Sequence, residues 1–550
     1  MANKNFNNND AKNEGFQKGN QKRRNSSKRN RRQREDKYGN LKSTTNDPKW
    51  YGADPSLVRD SASIPFSWAI GTPIDLENPN LVDLPSGQEF TIPGICTLDV
   101  IPCVSRSINI ASPLNVASMA VYAHVRYANS GSSVYDAPDL MLYLMSMTQI
   151  YSYIAFLQRT YGLATLYSQR NRYMPQALLQ AEGVDAKDVQ QHLADFRYGI
   201  NVLINKAAAL AVPADMSIFQ RHAFLFQNVY TEGPSVKDQL YMYNPRGFYL
   251  YDFDQDGAGM LKYVNFTKPT PYTVEELLDF GNNMLSRILY SEDLNIMSGD
   301  IIKVYGTAGL IKLVPLNTEY PIVPLYDPMV LEQFKNATVC FNPGGLDVYQ
   351  DGSKGFLVFQ PYVSWQMSND EHPWVDKAAL YAMRTLCEKR MLTTQAPEPT
   401  PEVVIELTRL MASGHNFRWN EQKTAGFVDI YPGSEIAANC AYYQYQPLPN
   451  GQLKLIAHYS RYADVVREGW KDEVVQYVHT SSVMANFKFH PAQHLLVARK
   501  GTTEDAVQFA NGYMNFDVDN YAILSHDNIL HMHEAALLNE LNVPRVAKAY

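Results

Sequence analysis

The sequence predicts an α+β protein that is predominantly α-helical, carries a β-containing second domain and begins with a disordered basic arm. Three observations support this prediction. Polar and basic residues dominate positions 1–48, apolar residues at helical spacing dominate from 113 to 230, and Tyr, Phe, Asp and Gly at strand and turn spacing follow from about 241. Hydrophobic residues make up 45% of the 550 positions, which is enough for a large folded core.

The composition divides the chain into three parts. We predict the basic arm at residues 1–48, a helical domain at 49–250 and a mixed α/β domain at 251–504. An amphipathic helix at 527–541 closes the chain. We expect residues 505–550 to return to the helical domain, which would make the mixed domain an insertion.

Residues 18–34 are the most specific functional signal in the sequence. They include no acidic, aromatic or aliphatic side chain. Such a segment cannot bury enough apolar surface to offset the entropy lost on ordering, so we expect it to be disordered on its own. Its basic residues, which we predict to bind RNA, are Lys18, Lys22, Arg23, Arg24, Lys28, Arg29, Arg31, Arg32 and Arg34.

The charge of the chain is unevenly distributed. Residues 1–48 contain 13 Lys and Arg against five Asp and Glu, a net charge of +8, which leaves −15 for the remainder of a chain whose total is −7. Basic groups on a flexible segment neutralise phosphates without reading sequence, and no aromatic residue lies among them to stack on bases. A nuclear-localisation signal or a merely solvated run of charge is the alternative interpretation.

The helical domain contains an unusually apolar stretch at 140–157. The stretch has no charged residue and is long enough to span a membrane. However, it includes Ser146, Thr148 and Gln149, and its strongest apolar positions recur at helical spacing. We therefore predict a helix buried in a core or a subunit interface, with a transmembrane span as the alternative.

Other elements follow from local patterns. Recurrent prolines between 55 and 113 predict extended, loop-rich structure, and a capping box at Thr273-Val-Glu-Glu276 predicts a helix start. Further helices are predicted at 114–129, 175–181, 185–211, 217–230 and 400–411. Strands and turns are predicted at 241–270, 315–361 and 427–497.

The cysteines do not predict a metal site or a disulfide framework. Five of them are scattered without a CxxC pair, so we expect free, buried thiols in a reducing compartment. Met1 leads into Asn-rich polar sequence, which does not match a signal peptide. The cysteines are Cys96, Cys103, Cys340, Cys387 and Cys440.

No catalytic or cofactor motif emerges, and we predict no enzyme, metal or cofactor. Asp252-Phe-Asp254-Gln-Asp256-Gly257 matches the opening of a calcium loop, but Tyr263 occupies the last position, where a bidentate Glu is required. We interpret these residues as an acidic turn. His531 and His533 are two apart, so on a helix they do not share a face. The alternative function is an RNA-processing enzyme with a basic targeting tail, for which the turn at Asp252 is the best metal-site candidate.

Several blocks in the helical region resemble picobirnavirus capsid proteins, in the same order and at similar spacing. The likeness is good over residues 50–314, weak through the later region, and faint again at His531-Met-His-Glu534. The blocks are Ser112-Pro-Leu-Asn-Val-Ala, Val121-Tyr-Ala-His-Val-Arg-Tyr-Ala-Asn-Ser-Gly, Ala137-Pro-Asp-Leu-Met-Leu-Tyr-Leu-Met, Asn171-Arg-Tyr-Met-Pro-Gln-Ala-Leu-Leu, Gly183-Val-Asp, Pro213-Ala-Asp-Met-Ser, Arg221-His-Ala and Ile296-Met-Ser-Gly-Asp.

The resemblance implies a structural capsid protein of a non-enveloped virus, which self-assembles as dimers into a small icosahedral shell around double-stranded RNA. It implies that residues 49–250 with 505–550 form the shell, that 251–504 project outward and that the arm faces the RNA. Assembly in the host cytoplasm, location in the virion and host membrane disruption are further implications. In some members the arm is removed by self-cleavage. The resemblance names neither a host receptor nor a cleavage site for this chain.

Overall fold

The computed structural model describes residues 45, 47–64, 73–75, 89–91, 94–129, 131, 134–166, 174–233, 238–353, 355–366, 373–387, 389–447, 453–503 and 507–542. The chain divides into two compact units, residues 1–68 and 69–550. The assignment of residues to a shell and a projecting domain stays a prediction.

The first unit contains a short 3-10 turn (Pro48–Trp50) and helix α1 (Pro55–Ala62). The side chain of Asp54 accepts hydrogen bonds from the amides of Ser56 (2.9 Å) and Leu57 (3.3 Å), and Pro55 occupies the first turn. The prediction of extended structure from residue 55 is therefore wrong over α1. Pro55 starts this helix because its missing N–H lies where no intrahelical partner exists.

The second unit contains the remaining helices. A 3-10 turn also lies at Thr385–Cys387. The helices are α2 (Pro113–Ala128), α3 (Ala137–Ala164), α4 (Met174–Ala181), α5 (Ala186–Gln191), α6 (Leu193–Ala207), α7 (Ile218–Leu225), α8 (Val274–Leu289), α9 (Glu292–Tyr305), α10 (Pro328–Asn336), α11 (Pro373–Arg384), α12 (Pro401–Leu407), α13 (Lys471–Met484) and α14 (His526–Glu540).

The strands are distributed along the second unit, with most of them after residue 240. They are β1 (Pro73–Asp75), β2 (Glu89–Thr91), β3 (Ile95–Pro102), β4 (Tyr230–Thr231), β5 (Leu240–Pro245), β6 (Gly247–Phe253), β7 (Gly259–Asn265), β8 (Pro343–Gly344), β9 (Val348–Asp351), β10 (Phe356–Val358), β11 (Tyr362–Gln366), β12 (Arg390–Thr394), β13 (Ser413–Trp419), β14 (Ala425–Tyr431), β15 (Glu435–Pro447), β16 (Leu453–Ser460), β17 (Ala463–Arg467), β18 (Gln493–Lys500), β19 (Val507–Asn515) and β20 (Asn520–Leu524).

The longest helix, α3, forms the centre of the core. Its 18-residue apolar window is long and hydrophobic enough to cross a membrane, yet every residue of that window is buried inside the protein. Its polar side chains are satisfied: Gln149 donates to the carbonyl of Pro102 (3.2 Å), and the hydroxyl of Tyr153 donates to the carbonyl of Leu277 (2.6 Å). The prediction of a buried helix over 140–157 is confirmed.

One sheet joins distant parts of the sequence. Its order is β16–β15–β3–β5–β4, with β3 parallel to β5 and antiparallel to β15. All eight residues of β3 are buried, which is typical of a strand covered on both faces. The other described sheets have the orders β1–β2, β10–β9–β7–β6, β13–β14–β11–β8, β12–β20 and β17–β18–β19.

Several predicted elements have different bounds in the structure. The helix predicted at 185–211 is two helices, α5 and α6, which meet at His192. The region predicted as strand and turn at 315–361 contains helix α10, and the one at 427–497 contains helix α13. By contrast, the capping box at Thr273 is present, and α8 begins directly after it.

The terminal helix α14 packs against α2 and β13. Its first turn is fixed by a capping box in which Ser525 and Asn528 exchange hydrogen bonds. Just beyond the helix, the side chain of Asn542 donates to the carboxylate of Asp215 (2.8 Å). The end of the described chain therefore lies against the helical region.

Candidate functional site

The nine basic residues predicted to bind RNA lie outside the described residues, because the described part of the chain begins at residue 45. Their role stays a prediction. The remaining candidates for chemistry lie within the described part, and their geometry distinguishes structural from catalytic roles.

The acidic residues of 252–257 end strand β6 and form the turn into β7. The carboxylate of Asp254 accepts hydrogen bonds from the amides of Asp256 (2.9 Å) and Ala258 (2.8 Å), and Asp252 forms an ion pair with Arg287 (Nη1–Oδ2 2.9 Å). The interpretation as an acidic turn is confirmed. Asp254 thus binds the amides of its own turn, and Asp252 binds Arg287 of the neighbouring helix α8. The RNA-processing alternative therefore loses its best metal-site candidate.

Among the residues that the structure describes, no three His, Cys, Asp or Glu side chains are grouped closely enough to hold a metal ion. His533 is fully buried on α14, where Nε2 lies 2.9 Å from the carbonyl oxygen of Met411, whereas His531 is exposed. Burial lowers the pKa of His533 to about 3, so its ring is neutral at physiological pH. The two histidines lie on different faces of the helix, as their spacing predicts.

Four of the five cysteines are buried free thiols: Cys96, Cys103, Cys340 and Cys440. The prediction is confirmed for these four and wrong for Cys387, which forms no disulfide but is exposed. Burial raises the pKa of the Cys96 thiol well above its usual value. A thiol held in its protonated form is a weak nucleophile, so Cys96 is suited to packing.

A buried ion pair anchors the end of α3. Arg159 and Glu182 are both inaccessible to solvent, with Nε and Oε1 2.6 Å apart. Arg159 also donates to the carbonyl of Tyr243 (2.8 Å), and Thr160 donates to Glu182 (3.2 Å). The pair therefore connects α3 to the α4 region and to β5. Burial raises the pKa of Glu182, and the charge of Arg159 opposes that shift.

A second charged network connects elements from three regions of the sequence. Arg221 of α7 binds Glu435 at the start of β15 (Nε–Oε1 2.6 Å), and it also donates to Gln333 of α10 (3.1 Å). His222 lies beside this pair, with Nε2 3.0 Å from the carbonyl oxygen of Ser434. Burial lowers the pKa of His222 to about 4. These contacts fasten the late strand β15 to the early helix α7.

The same network extends to the terminal helix. Arg409 lies 4.0 Å from Glu540 of α14, and it donates to the carbonyl of Ile405 (2.8 Å). Burial and the nearby charge of Glu435 raise the pKa of Glu540 to about 7. Glu540 is therefore close to half-protonated at neutral pH, and its charge changes within the physiological range.

Sequence reasoning missed both networks, since their ion-paired members are separated by 23 to 214 residues. One local signal was available. Arg159 follows directly after an uncharged stretch of a helix whose burial the sequence predicts, and a charge in that position requires a partner. Nothing in the sequence identifies Glu182 as that partner.

An open cleft of about 1030 Å³ lies between the helical region and the later strands. Charged residues of both signs line it together with amide, hydroxyl and aromatic groups, among them Lys268, Asn439 and Tyr443. Asp99 lies at its wall, accepts a hydrogen bond from Asn439 (3.1 Å), and has its pKa raised to about 6 by burial. No His or Cys is among the described residues that line the cleft.

Comparisons with known proteins agree on one family. Residues 50–433 match the model of the picobirnavirus capsid protein family. The chain is 31% identical over 408 residues to a capsid protein precursor of human picobirnavirus (strain Human/Thailand/Hy005102/-), which covers 70% of this chain and 71% of that protein. Its fold is similar to the X-ray crystallographic structure of the picobirnavirus capsid, with a TM-score of 0.76, 20% identity, and coverage of 92% of this chain and 100% of the other.

Proposed function

This chain belongs to the picobirnavirus capsid protein family, and from that premise we propose that it self-assembles as dimers into a small icosahedral shell that encloses double-stranded RNA. Its role is structural. In the virion the protein forms the shell, which assembles in the host cytoplasm. Residues 49–250 with 505–550 form the shell layer, and residues 251–504 project from it.

The observation that carries the proposal is the extent of the family match, which spans 384 residues from 50 to 433. The match covers the buried helix α3, the two partners of the Arg159–Glu182 pair, and most strands of the later region. Residues from distant parts of the chain share one hydrophobic core. A folded body with many surface-exposed aromatic residues is suited to repeated self-association.

The distribution of charge supports a separate role for the arm. Residues 1–48 carry a net charge of +8 on a chain whose remainder carries −15. We propose that the arm neutralises RNA phosphates inside the shell without sequence specificity. Many arms enclosed in one shell act together, whereas the acidic body limits the binding of RNA to the remaining surface.

Electron microscopy of the purified full-length chain tests assembly directly. We expect uniform hollow or filled particles at neutral pH and moderate salt, because a shell is the stable state of a capsid protein. A chain that remains a small monomer under these conditions would contradict the proposal.

A charge-removal variant tests the arm. Replacing Lys22, Arg23, Arg24, Arg29, Arg31, Arg32 and Arg34 with Gln should leave assembly intact and lower the nuclease-protected RNA in each particle. The matched control replaces only the six arginines with Lys, which keeps the charge and should keep the RNA content. Unchanged RNA in the Gln variant would show that packaging depends on other residues.

The family resemblance also motivates two later steps, removal of the arm by self-cleavage and disruption of a host membrane. Mass spectrometry of assembled particles measures the first, since an intact N-terminus excludes cleavage under those conditions. For the second, we expect the isolated 140–157 peptide to release dye from liposomes, whereas the intact chain should not do so through this helix, which is buried in the folded protein.

A further inference from the structure

Helix α2 is apolar on nearly its whole circumference. Its inner face packs into the core through Leu114, Ala117, Val121 and Val125, which are at most 2% exposed. A helix that borders solvent usually carries charged or polar residues on its opposite side. Here the opposite side, which we call the outer face of α2, consists of Val116, Met119, Ala120, Ala123 and Tyr127.

The outer face of α2 is accessible to solvent in the single chain. Val116 is 41% exposed, Met119 51% and Tyr127 94%, and Ala123 is also exposed. Just before the helix, Ile110 extends this surface with 62% exposure. Exposed apolar side chains are ordinary when scattered, but these recur at helical spacing along a 16-residue helix, which is about 24 Å long.

Charge is directed away from the outer face. Arg126 is the only Lys, Arg, Asp or Glu in α2. Its side chain donates to the carbonyl of Gly131 (2.6 Å) and lies 3.8 Å from Asp300 of α9. His124 is held beside α9, where its ring lies 5.6 Å from that of Tyr305. Arg126 is thus turned toward neighbours in the same chain, and His124 is exposed but has its ring beside Tyr305.

We propose that the outer face of α2 packs against the outer face of α2 in a second copy of this chain, antiparallel and across a two-fold axis. This inference rests on the proposed self-assembly and specifies one surface that carries it. It identifies a contact between two identical surfaces, which is the type that a two-fold axis generates.

Charge favours a second copy as the occupant. The body of the chain has a net charge of −15, so two bodies repel each other except where their contact surface lacks charge. The core of an interface between identical subunits is depleted of charged residues and enriched in aromatic residues and Met. The outer face of α2 combines an exposed Tyr and Met with small residues and no charge. A basic or strongly polar partner would gain nothing from this surface.

The order of side-chain sizes along the helix is self-complementary. In an antiparallel pair centred between Ala120 and Ala123, these small residues of the two copies lie opposite each other and allow close approach. Tyr127 of each copy then lies opposite Val116 of the other, so that the large ring meets the smaller aliphatic side chain. A standard interface buries about 800 Å² per partner, so this contact forms the centre of a larger interface.

Two substitutions with matched controls test the effect of charge. Ala123→Glu brings two carboxylates close together near the axis, and Tyr127→Glu places a carboxylate against Val116 of the other copy. For each variant we expect the dimer dissociation constant to rise at least about tenfold. The control Tyr198→Glu alters another helical tyrosine, which lies on α6 and is 72% exposed. It should leave the dimer dissociation constant unchanged. Analytical ultracentrifugation measures the constant, and circular dichroism confirms that each variant is folded.

Cysteine cross-linking tests the geometry independently of affinity. In a Cys387→Ser background, Ala123→Cys should form an intermolecular disulfide on mild oxidation, while the control Ala535→Cys on α14 should not. Particle formation by the wild type with a cross-linked Ala123→Cys dimer supports both proposals. If the wild type forms particles but the cross-link is absent, or the Glu variants dimerise like the wild type, the α2 contact is overturned and the capsid function still stands. Failure of the wild type to assemble overturns the capsid function, and the cross-link still decides the contact.

A segment of the same chain could instead cover the outer face, for example residues 76–88, which lie outside the described part. The Ala123→Cys variant would then give no intermolecular product, and the Glu variants would lower the thermal stability of the monomer. That pair of results would overturn the proposal.

Discussion

Helices α2 and α3 are adjacent, apolar and almost uncharged, yet they differ in how they are buried. Helix α3 is surrounded by its own chain, and its apolar window is wholly buried. Helix α2 is buried on one side only, and Val116, Met119 and Tyr127 remain exposed. A helix that is apolar on all sides is therefore predicted to be buried. Its sequence does not indicate whether the same chain or another molecule covers it.

The helices also differ in how they accommodate charge. The one arginine of α3, Arg159, is fully buried and needs Glu182, whereas the one arginine of α2, Arg126, lies near the surface and reaches Asp300 at 3.8 Å. A buried pair contributes little net stability when intact, but it is costly to break. Removing the partner of the arginine should therefore have a large effect on folding in α3 and a small effect in α2.

The largest effect is expected for Glu182→Ala. This change leaves the guanidinium of Arg159 buried without its partner, and we expect a loss of about 3–5 kcal/mol in the free energy of unfolding. Urea denaturation in the Ala123→Glu background, at protein concentrations where sedimentation shows a monomer, measures this loss without interference from shell formation. The double variant Arg159→Met, Glu182→Leu should recover most of the loss. If Glu182→Ala alone costs less than about 1 kcal/mol, the pair does not anchor α3.

A second expectation concerns packing alone. Leu144 is fully buried in α3, and Leu144→Ala should cost about 2–5 kcal/mol through lost burial and a residual cavity. The matched truncation in α2, Met119→Ala, should cost less than about 0.5 kcal/mol in the same background, because this side chain is half exposed. Equal losses at the two positions would mean that the outer face of α2 is covered within the single chain.

Local sequence patterns account for the parts of this fold that could be predicted. Helix α3, the helix start after Thr273 and the terminal helix follow from spacing and capping residues that lie within a few positions of each other. Helix α13 was missed because Val474, Val475 and Val478 are β-branched and favour strands. These three valines are exposed in the helix, which buries only Val483 and Met484.

Contacts between distant segments could not be predicted. The pairing of β15 with β3 joins Glu435 to Pro102, and nothing local to either strand specifies the other. The same limit applies to Arg221 with Glu435 and to Arg409 with Glu540. For the candidate RNA site, by contrast, composition alone carries the prediction, because the proposed neutralisation of phosphates depends on charge and needs no precise geometry.

The third expectation concerns α14, the helix that packs against α2. Burial raises the pKa of Glu540 to about 7, above its usual 4.5, so the folded state holds this proton more tightly than the unfolded chain does. This contribution to stability is fully present below about pH 4.5 and is lost as pH rises to about 7. His222 and His533, whose pKa values are lowered, act in the opposite direction below pH 6.5.

The wild type and the variants all contain these two histidines. The difference in their pH dependence therefore reports the contribution of Glu540. We subtract the unfolding free energy of the wild type from that of Glu540→Gln at each pH. This difference should rise by about 1–3 kcal/mol as the pH goes from 5 to 7.5, because Gln gains no charge beside Glu435. Arg221 and Arg409 face the same site and stay charged throughout. The control Glu534→Gln on the same helix should show no such change. A pH-independent difference for Glu540→Gln would exclude Glu540 as the titrating group.

The smallest effect on folding, and the sharpest test of the comparison, is expected for Met119→Lys. In the single chain Met119 is half exposed, so a lysine there can extend into solvent, and the unfolding free energy should change by no more than about 0.5 kcal/mol. In a paired α2, two lysines would be brought together in a charge-free contact, and dimer formation should weaken by at least about tenfold. Calorimetry and sedimentation on the same preparation measure the two quantities. A variant that folds and associates like the wild type would mean that α2, unlike α3, is left uncovered in the assembled protein as well.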